Sequence, residues 1–116
     1  VWNGKAIVHE GADGTDAEQA NHNLLVSKKA EIDAKPELEI YADDVKCAHG
    51  TTVGQLDETA LFYLRTRGLS RREARQMLTR AFAQASIDRT PIKQLHEFLE
   101  NAVAAKLREL MHEEEQ

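Results

Sequence analysis

The sequence predicts a mixed β and α fold that changes character near Gly54. Before this residue, short apolar runs of strand length are separated by glycine, asparagine and aspartate, which favour turns. After it, apolar residues recur with the period of an amphipathic helix, and residues typical of helix caps precede them. We therefore expect a β region over residues 1–56 and a helical region over residues 57–116.

The β region contains four segments that are expected to form strands. They lie at residues 6–8, 24–26, 37–41 and 45–53. Pro36 is predicted to open the third strand or to lie at a corner, because proline cannot donate a hydrogen bond inside a central strand. The spacing of roughly 14–18 residues between segments suits the coils of a β-solenoid, and a small antiparallel sheet is the alternative. Periodicity alone does not choose between them.

Helix-capping residues define the first two helices. Asp57 is placed to cap a helix over residues 58–67, and Gly68 is placed just beyond its C-terminal end. Ser70 and Glu73 have the Ser-x-x-Glu spacing of a capping box, which predicts a second helix directly after them.

A third helix is expected after Thr90 and Pro91, which resemble an N-cap followed by the first helical residue. The second and third helices carry apolar stripes at Ala74, Met77, Leu78, Ala81, Phe82 and Ala85, and at Leu95, Phe98, Leu99, Ala102, Val103, Leu107 and Leu110. We interpret these stripes mainly as core packing, with docking of a partner as the alternative.

Composition narrows the class of protein. The 116 residues are 41% hydrophobic and 30% charged, which suits one modest domain or a piece of a larger protein, and the chain does not begin with methionine. A formal net charge of -5 argues against nucleic acid as a partner. The apolar runs are too short for a membrane helix, so no membrane partner is expected. A single cysteine excludes an internal disulfide and fits the reducing cytoplasm.

Cys47 and His49 are the candidate chemical site. In a strand, residues two apart share a face, with Cα atoms about 6.5–7 Å apart. That separation is wide for a thiol–imidazole dyad, so a stand-alone cysteine enzyme is disfavoured, but it suits two side chains that bind one soft metal or cluster. The alternative is that Cys47 packs as a small hydrophobe and His49 simply ends the strand. Because clusters generally take four protein ligands, a cluster would need ligands from another chain.

The helical region is locally basic within an acidic chain. Its arginines are Arg65, Arg67, Arg71, Arg72, Arg75 and Arg80. They indicate either a solvated helix face or a docking surface for an acidic partner.

Two long runs resemble the SufB/SufD proteins of the Suf iron–sulfur cluster assembly machinery. One is Lys-Pro-Glu-Leu-Glu-Ile-Tyr-Ala-Asp-Asp-Val-Lys-Cys-Ala-His-Gly at residues 35–50, and the other is Phe-Tyr-Leu-Arg-Thr-Arg-Gly-Leu at residues 62–69. Cys47 points to the SufD branch, since the SufB branch has a different residue there. The resemblance covers residues 1–85 approximately and weakens after about Ala83.

The resemblance implies a non-enzymatic scaffold built as the last coils of a right-handed parallel β-helix followed by a three-helix carboxy-terminal region. Residues 1–56 would end the β-helix and pair with a SufB-like subunit. Residues 57–116 would dock a SufC-like ABC-type ATPase, with a surface at Phe62, Tyr63, Arg65, Arg67 and Gly68. As a carboxy-terminal fragment, the chain would expose an open first coil, which predicts self-association.

The resemblance also places His49, with Cys47 as its neighbour, at the SufB–SufD interface as part of a composite site for a nascent iron–sulfur cluster. It implies a reduced flavin in the assembled complex, to which no residue of this chain can be assigned. A purely structural adaptor without a ligand role is the alternative function.

Overall fold

The computed structural model describes the backbone of residues 1–113 and the side chains of residues 1–110. Residues 114–116, the end of the predicted helical region, lie outside the described part. The chain divides into two compact units, residues 1–55 and residues 56 onward. They are referred to below as the β unit and the helical unit.

The β unit contains four strands that pair in parallel. They are β1 (Trp2–Val8), β2 (Asp16–Leu25), β3 (Ala34–Ile40) and β4 (Lys46–Gln55). β1 pairs with β3, and β2 pairs with β4, so each strand lies beside the next but one in the chain. This pairing overturns the antiparallel alternative. The described strands form two separate two-stranded sheets rather than a closed sheet.

The corners between the strands are also stacked on one another. The β3–β4 connection lies against the β1–β2 connection: the N–H of Gly14 donates to the carbonyl of Asp44 at 3.1 Å, and the N–H of Asp43 donates to the carboxylate of Asp13 at 2.9 Å. Asp44 adopts a φ of 52°, a left-handed conformation that aspartate tolerates better than most residues. The strands β3 and β4 and the connection between them therefore stack on β1, β2 and their connection.

Pro36 lies inside β3, where it pairs with Gly4, rather than at the start of the strand or at a corner. The N–H of Trp2 donates to the carbonyl of Asp33, and the N–H of Tyr41 donates to the carbonyl of Val8. Odd-numbered residues of β3 therefore direct their N–H groups toward β1, and even-numbered residues direct theirs away. Proline is tolerated because its missing donor falls on the unpaired side.

The helical unit begins with α1 (Glu58–Thr66), whose predicted caps are confirmed. The Asp57 carboxylate accepts from the N–H of Thr59 at 2.9 Å. At the other end, Gly68 takes a φ of 98° and its N–H donates to the carbonyl of Arg65. The N–H of Leu69 reaches back to the carbonyl of Leu64, which completes a Schellman motif.

The capping box of α2 (Arg71–Asp88) is confirmed as well. The Ser70 hydroxyl accepts from the N–H of Glu73 at 3.2 Å, and the Glu73 carboxylate accepts from the N–H of Ser70 at 2.8 Å. Both partners are fixed by residues three apart in sequence, so the helix start is specified locally. Replacing the cap by Ser70→Ala removes about 1 kcal/mol from such an N-terminus.

The capping box also makes the stability of α2 depend on pH. The N–H and hydroxyl of Ser70 hold the pKa of Glu73 below its ordinary value of 4.5. Because the folded pKa is depressed, this stabilisation is present above pH 4.5 and is lost as pH falls below it. We expect Glu73→Gln to lower the melting temperature more at neutral pH than at about pH 3. Equal losses at both pH values, measured by circular dichroism, would contradict this assignment.

The prediction for the third helix was wrong at its start. A short 3₁₀ turn (Lys93–Leu95) precedes α3 (His96–Glu113). The N–H of Thr90 donates to the carbonyl of Ile87, so Thr90 bonds to the C-terminal end of α2 instead of capping α3. The ring Nε2 of His96 lies 2.8 Å from the Thr90 carbonyl and joins the two helix ends.

The apolar stripes are only partly buried. The core of the helical unit is formed by Leu61, Ala74, Ile87 and Leu107. Ile87 was not in the predicted stripe, and seven predicted members are exposed by more than a third, namely Met77, Ala81, Phe82, Ala85, Leu95, Phe98 and Ala102. For the members on α2, the cause is that this helix packs against both α1 and α3, so its buried face differs from the single predicted stripe. Among the described residues, no helix has the length and apolar content needed to cross a membrane.

Candidate functional site

β4 carries the two candidate ligands. Cys47 and His49 are its second and fourth residues, so they project from one face of the strand as predicted. Cys47 is a free, half-buried thiol, and His49 is exposed. The N–H of Lys46 donates to the carbonyl of Thr15, so even-numbered residues bond toward β2 and Cys47 and His49 direct their N–H groups to the opposite edge. In the described part of the chain, no strand pairs with that edge.

The register defines what lies beside each ligand. Cys47 pairs with Ala17, and His49 pairs with Gln19. Ala17 and Gln19 are both half-buried residues of β2. The other face carries the outward pair His22 and Thr52, whose side chains lie 2.8 Å apart. Cys47 and His49 therefore project from the face that β2 turns toward the interior of the β unit.

That face is polar where a core would be apolar. Gln19, Asn21 and Asn23 alternate along it, and the amide of Asn23 donates to the side-chain oxygen of Asn21 and, at 3.1 Å, to the carbonyl of Thr52. The side-chain oxygen Oε1 of Gln19 is buried and has no hydrogen-bond partner among the residues that the structure describes. Sequence reasoning missed this row because it searched for apolar runs. The signal was the alternation of polar amides in a strand.

Gln19 is held in place by the strand on the other side of the β unit. Its Nε2 lies so close to Gly4 that a Cβ atom there would overlap it, and the same Cβ would meet the indole ring of Trp2. Gly4 thus provides the space in which the Gln19 amide lies. The amide is packed between strands rather than extended into solvent.

Within the described residues, no group of three or more histidine, cysteine, aspartate or glutamate side chains is arranged to bind a metal ion. Cys47 and His49 offer one sulfur and one imidazole on a shared face. A cluster generally takes four protein ligands. These two side chains can therefore supply at most part of a coordination shell.

The predicted docking residues lie on α1 and just beyond it. Phe62 is 69% exposed and Tyr63 is 54% exposed, a high exposure for neighbouring aromatic side chains. Phe62 and Arg65 belong to a shallow groove of about 110 Å³ that is also lined by Glu58, Leu61 and Arg71. The lining combines two apolar side chains with two arginines and one glutamate.

Arg67 is not an independent cation on this surface. Its guanidinium lies 5.0 Å from the centre of the Tyr63 ring and donates to the Tyr63 hydroxyl at 2.7 Å. Gly68 contributes through the backbone, because its left-handed conformation ends α1 and brings Leu69 back against the helix. The structure thus places Phe62, Tyr63 and Arg65 on one short helix and Arg67 at its C-terminal cap, followed by Gly68.

Comparison with known proteins decides the family. The family model described as "SUF system FeS cluster assembly, SufBD core domain" matches residues 1–82. The chain belongs to the SufBD family. Its relatives include the iron–sulfur cluster assembly protein SufD of Escherichia coli, which is 54% identical over 83 residues, or 72% of this chain and 20% of that protein.

Other SufBD relatives extend the similarity further along the chain. A SufBD family protein of Synechocystis is 45% identical over 106 residues, covering 91% of this chain and 23% of the relative. SufD of Bacillus subtilis is 32% identical over 108 residues, covering 93% and 25%. The chain spans about a fifth to a quarter of the length of these three relatives. These matches confirm the predicted resemblance to the SufB/SufD proteins.

Proposed function

We propose that the chain is the carboxy-terminal part of a non-enzymatic, SufD-type scaffold subunit that acts in iron–sulfur cluster assembly in the cytoplasm. The observation that carries this proposal is the position of His49. In a chain of the SufBD family, this exposed imidazole belongs to a strand that has one edge unpaired within the described residues and that also carries a free thiol. Such a strand can offer ligands to a cluster while it contacts a second subunit.

In this proposal, residues 1–56 form the end of a right-handed parallel β-helix. Parallel pairing of each strand with the next but one supports it, because successive coils of a β-helix stack in this way. The stacked corners at Gly14 and Asp44 support it as well. The two separate sheets would be two faces of the same helix.

The SufB-like subunit would contact the unpaired edge of β4. This edge presents the N–H groups of alternate residues along a ten-residue strand, which is the feature that a strand of another chain can extend. Val53 is 51% exposed at the same strand and would be covered by such a contact. The contact would bring the partner's side chains to Cys47 and His49, where they could complete the coordination shell.

In this role the cluster is cargo that is built on the scaffold and passed on. A neutral imidazole binds iron through the lone pair of one ring nitrogen, and a thiolate binds through sulfur. If this chain supplies only one or two ligands, the cluster is held by two subunits at once and separation of the subunits weakens its binding. Reduced flavin remains an expectation from the resemblance, with no residue assigned to it.

The helical region, residues 57–116, would dock the SufC-like ATPase through α1. Exposed Phe62 and Tyr63 supply apolar contact, and the groove beside Phe62 can receive a side chain of the partner. Arg65 and Arg71 outnumber Glu58 at the groove, and this excess of positive charge favours a partner surface with acidic residues.

Self-association of the isolated chain remains a proposal that light scattering can test.

Reversing the charge at the groove should weaken binding of the ATPase. We expect Arg65→Glu in the full-length protein to raise the dissociation constant about tenfold or more at low salt, because like charges would face each other. The same charge reversal at Arg67 should also release the Tyr63 side chain from its contact with the Arg67 guanidinium. Affinity can be measured by surface plasmon resonance with the ATPase subunit.

Arg80→Glu is the matched control, since Arg80 is an exposed arginine of α2 that does not line the groove. It changes the net charge equally and should leave the affinity nearly unchanged. Undiminished binding by the Arg65 variant would remove Arg65 from the interface.

A structural adaptor without a ligand role is the second candidate function. It is favoured by one observation, namely that Cys47 is half-buried beside Ala17, as expected of a small packing residue. The two functions differ in what they predict for His49, and substitution of His49 by alanine separates them.

A further inference from the structure

Gln19 has a side chain that is fixed in position but incompletely hydrogen bonded. Its amide nitrogen lies in the space that Gly4 leaves open, next to the indole of Trp2. Its oxygen Oε1 is buried and accepts no hydrogen bond from the described residues. A buried acceptor without a hydrogen bond destabilises a protein by roughly 1–3 kcal/mol, so most buried acceptors have a hydrogen-bond donor.

The residue beside Gln19 in the sheet is His49. The two pair directly in the parallel register of β2 and β4, and both project from the same face. Adjacent strands lie about 4.8 Å apart, so paired side chains on one face are neighbours along their whole length. His49 is exposed, and its ring can turn about its two side-chain torsions toward Gln19.

We propose that Gln19 is a positioning residue for His49, its buried side-chain oxygen accepting the N–H of one ring nitrogen so that the other nitrogen is left as the metal ligand. A neutral imidazole carries its hydrogen on one nitrogen and its lone pair on the other. Fixing the hydrogen therefore fixes which nitrogen can bind iron. Metal-binding histidines generally donate their second N–H to an oxygen in this way.

This inference rests on the proposed ligand role of His49 and adds a partner to it. Gln19 itself does not touch the cluster. It acts through the ring of His49 and is held by Gly4 and Trp2, so the orientation of the ligand is set by three strands, β1, β2 and β4. The β unit would thereby prepare the ring before the second subunit arrives.

The test uses the full-length protein labelled with ¹⁵N-histidine, whose ring nitrogen shifts distinguish the two neutral tautomers in magic-angle-spinning NMR. His49→Ala identifies the His49 signals by their loss. We expect one dominant His49 tautomer in the wild type. Gln19→Met removes the acceptor at similar length and should reduce the tautomer ratio roughly fivefold or more. Gln19→Glu keeps an acceptor oxygen and should restore the wild-type tautomer.

Two controls separate positioning from a general disturbance. Gln55→Met makes the same exchange six residues along β4 from His49 and should leave the His49 tautomer unchanged. The signals of His22, on the outward face, should stay constant in every variant. If Gln19→Met does not fold, the exchange rate of the His49 ring N–H in the wild-type protein still tests the proposal. A His49 ring N–H that exchanges as fast as a free imidazole would overturn the proposal.

The outcomes distinguish this inference from the ligand role itself. An unchanged tautomer ratio in Gln19→Met, together with cluster loss in His49→Ala, would overturn the role of Gln19 and leave His49 as a ligand. A shifted ratio with full cluster yield in His49→Ala would retain the hydrogen bond and refute the ligand role. In the assembled complex, cluster yield should fall in Gln19→Met and recover in Gln19→Glu.

Discussion

Replacing His49 by alanine in the full-length protein should abolish cluster formation while the complex with its partner subunits still assembles. His49 is exposed on β4, so its loss leaves no cavity in the core. Loss of a residue that merely supports a metal ligand already costs about 10–100-fold in affinity. Loss of the ligand itself should reduce cluster yield by at least as much, measured by absorbance and iron content of the reconstituted complex.

His22→Ala is the matched control for this experiment. His22 is also a histidine of the β2–β4 pair, but it lies on the opposite face with its ring against Thr52. Its replacement should leave cluster yield unchanged. Full yield in His49→Ala would favour the structural adaptor, and failure of the complex to assemble would instead assign His49 to the subunit contact.

Local features of the fold could be predicted from the sequence because the interacting atoms are close along the chain. Asp57 caps a helix through a residue two positions away, and Ser70 and Glu73 cap one three positions apart. The left-handed conformation at Gly68 follows from the same kind of short-range pattern. In each case a single residue type at one spacing specifies the geometry.

Features that depend on residues far apart in the chain could not be predicted from the sequence. Pairing of Asp16 with Lys46 closes a loop of many residues, and periodicity could not distinguish it from an antiparallel sheet. Exposure of Met77 and Phe82 depends on which helices cover α2. Thr90 was assigned to the wrong helix because a Thr-Pro pair can follow one helix as readily as it can start the next.

The candidate site shows the same division. The shared face of Cys47 and His49 follows from strand geometry alone, and the structure places both on β4. The role of Gln19 could not be predicted, because it depends on a register that joins residues thirty positions apart and on a glycine in a third strand. A polar row inside a strand pair becomes visible only when the paired residues are known.

Gly4 is expected to be the least tolerant of the strand glycines. An added Cβ in Gly4→Ala would overlap the Gln19 amide and the Trp2 ring, which are held within the β unit. Overpacking of this kind typically lowers the free energy of unfolding by about 1–3 kcal/mol. The change should be measurable by urea denaturation of the full-length protein, and it should displace Gln19 and so alter the His49 tautomer.

Gly50→Ala provides the control for that experiment. Gly50 is also a strand glycine with φ outside the left-handed region, but a Cβ there meets no atom of the described residues within 4 Å. Alanine restricts the unfolded chain more than glycine does, so this change should be neutral or stabilise by about 0.5 kcal/mol. Equal effects at Gly4 and Gly50 would mean that strand propensity, rather than the space around Gln19, determines the result. A loss confined to Gly4 would show that glycine is needed there to accommodate the amide that we assign to positioning His49.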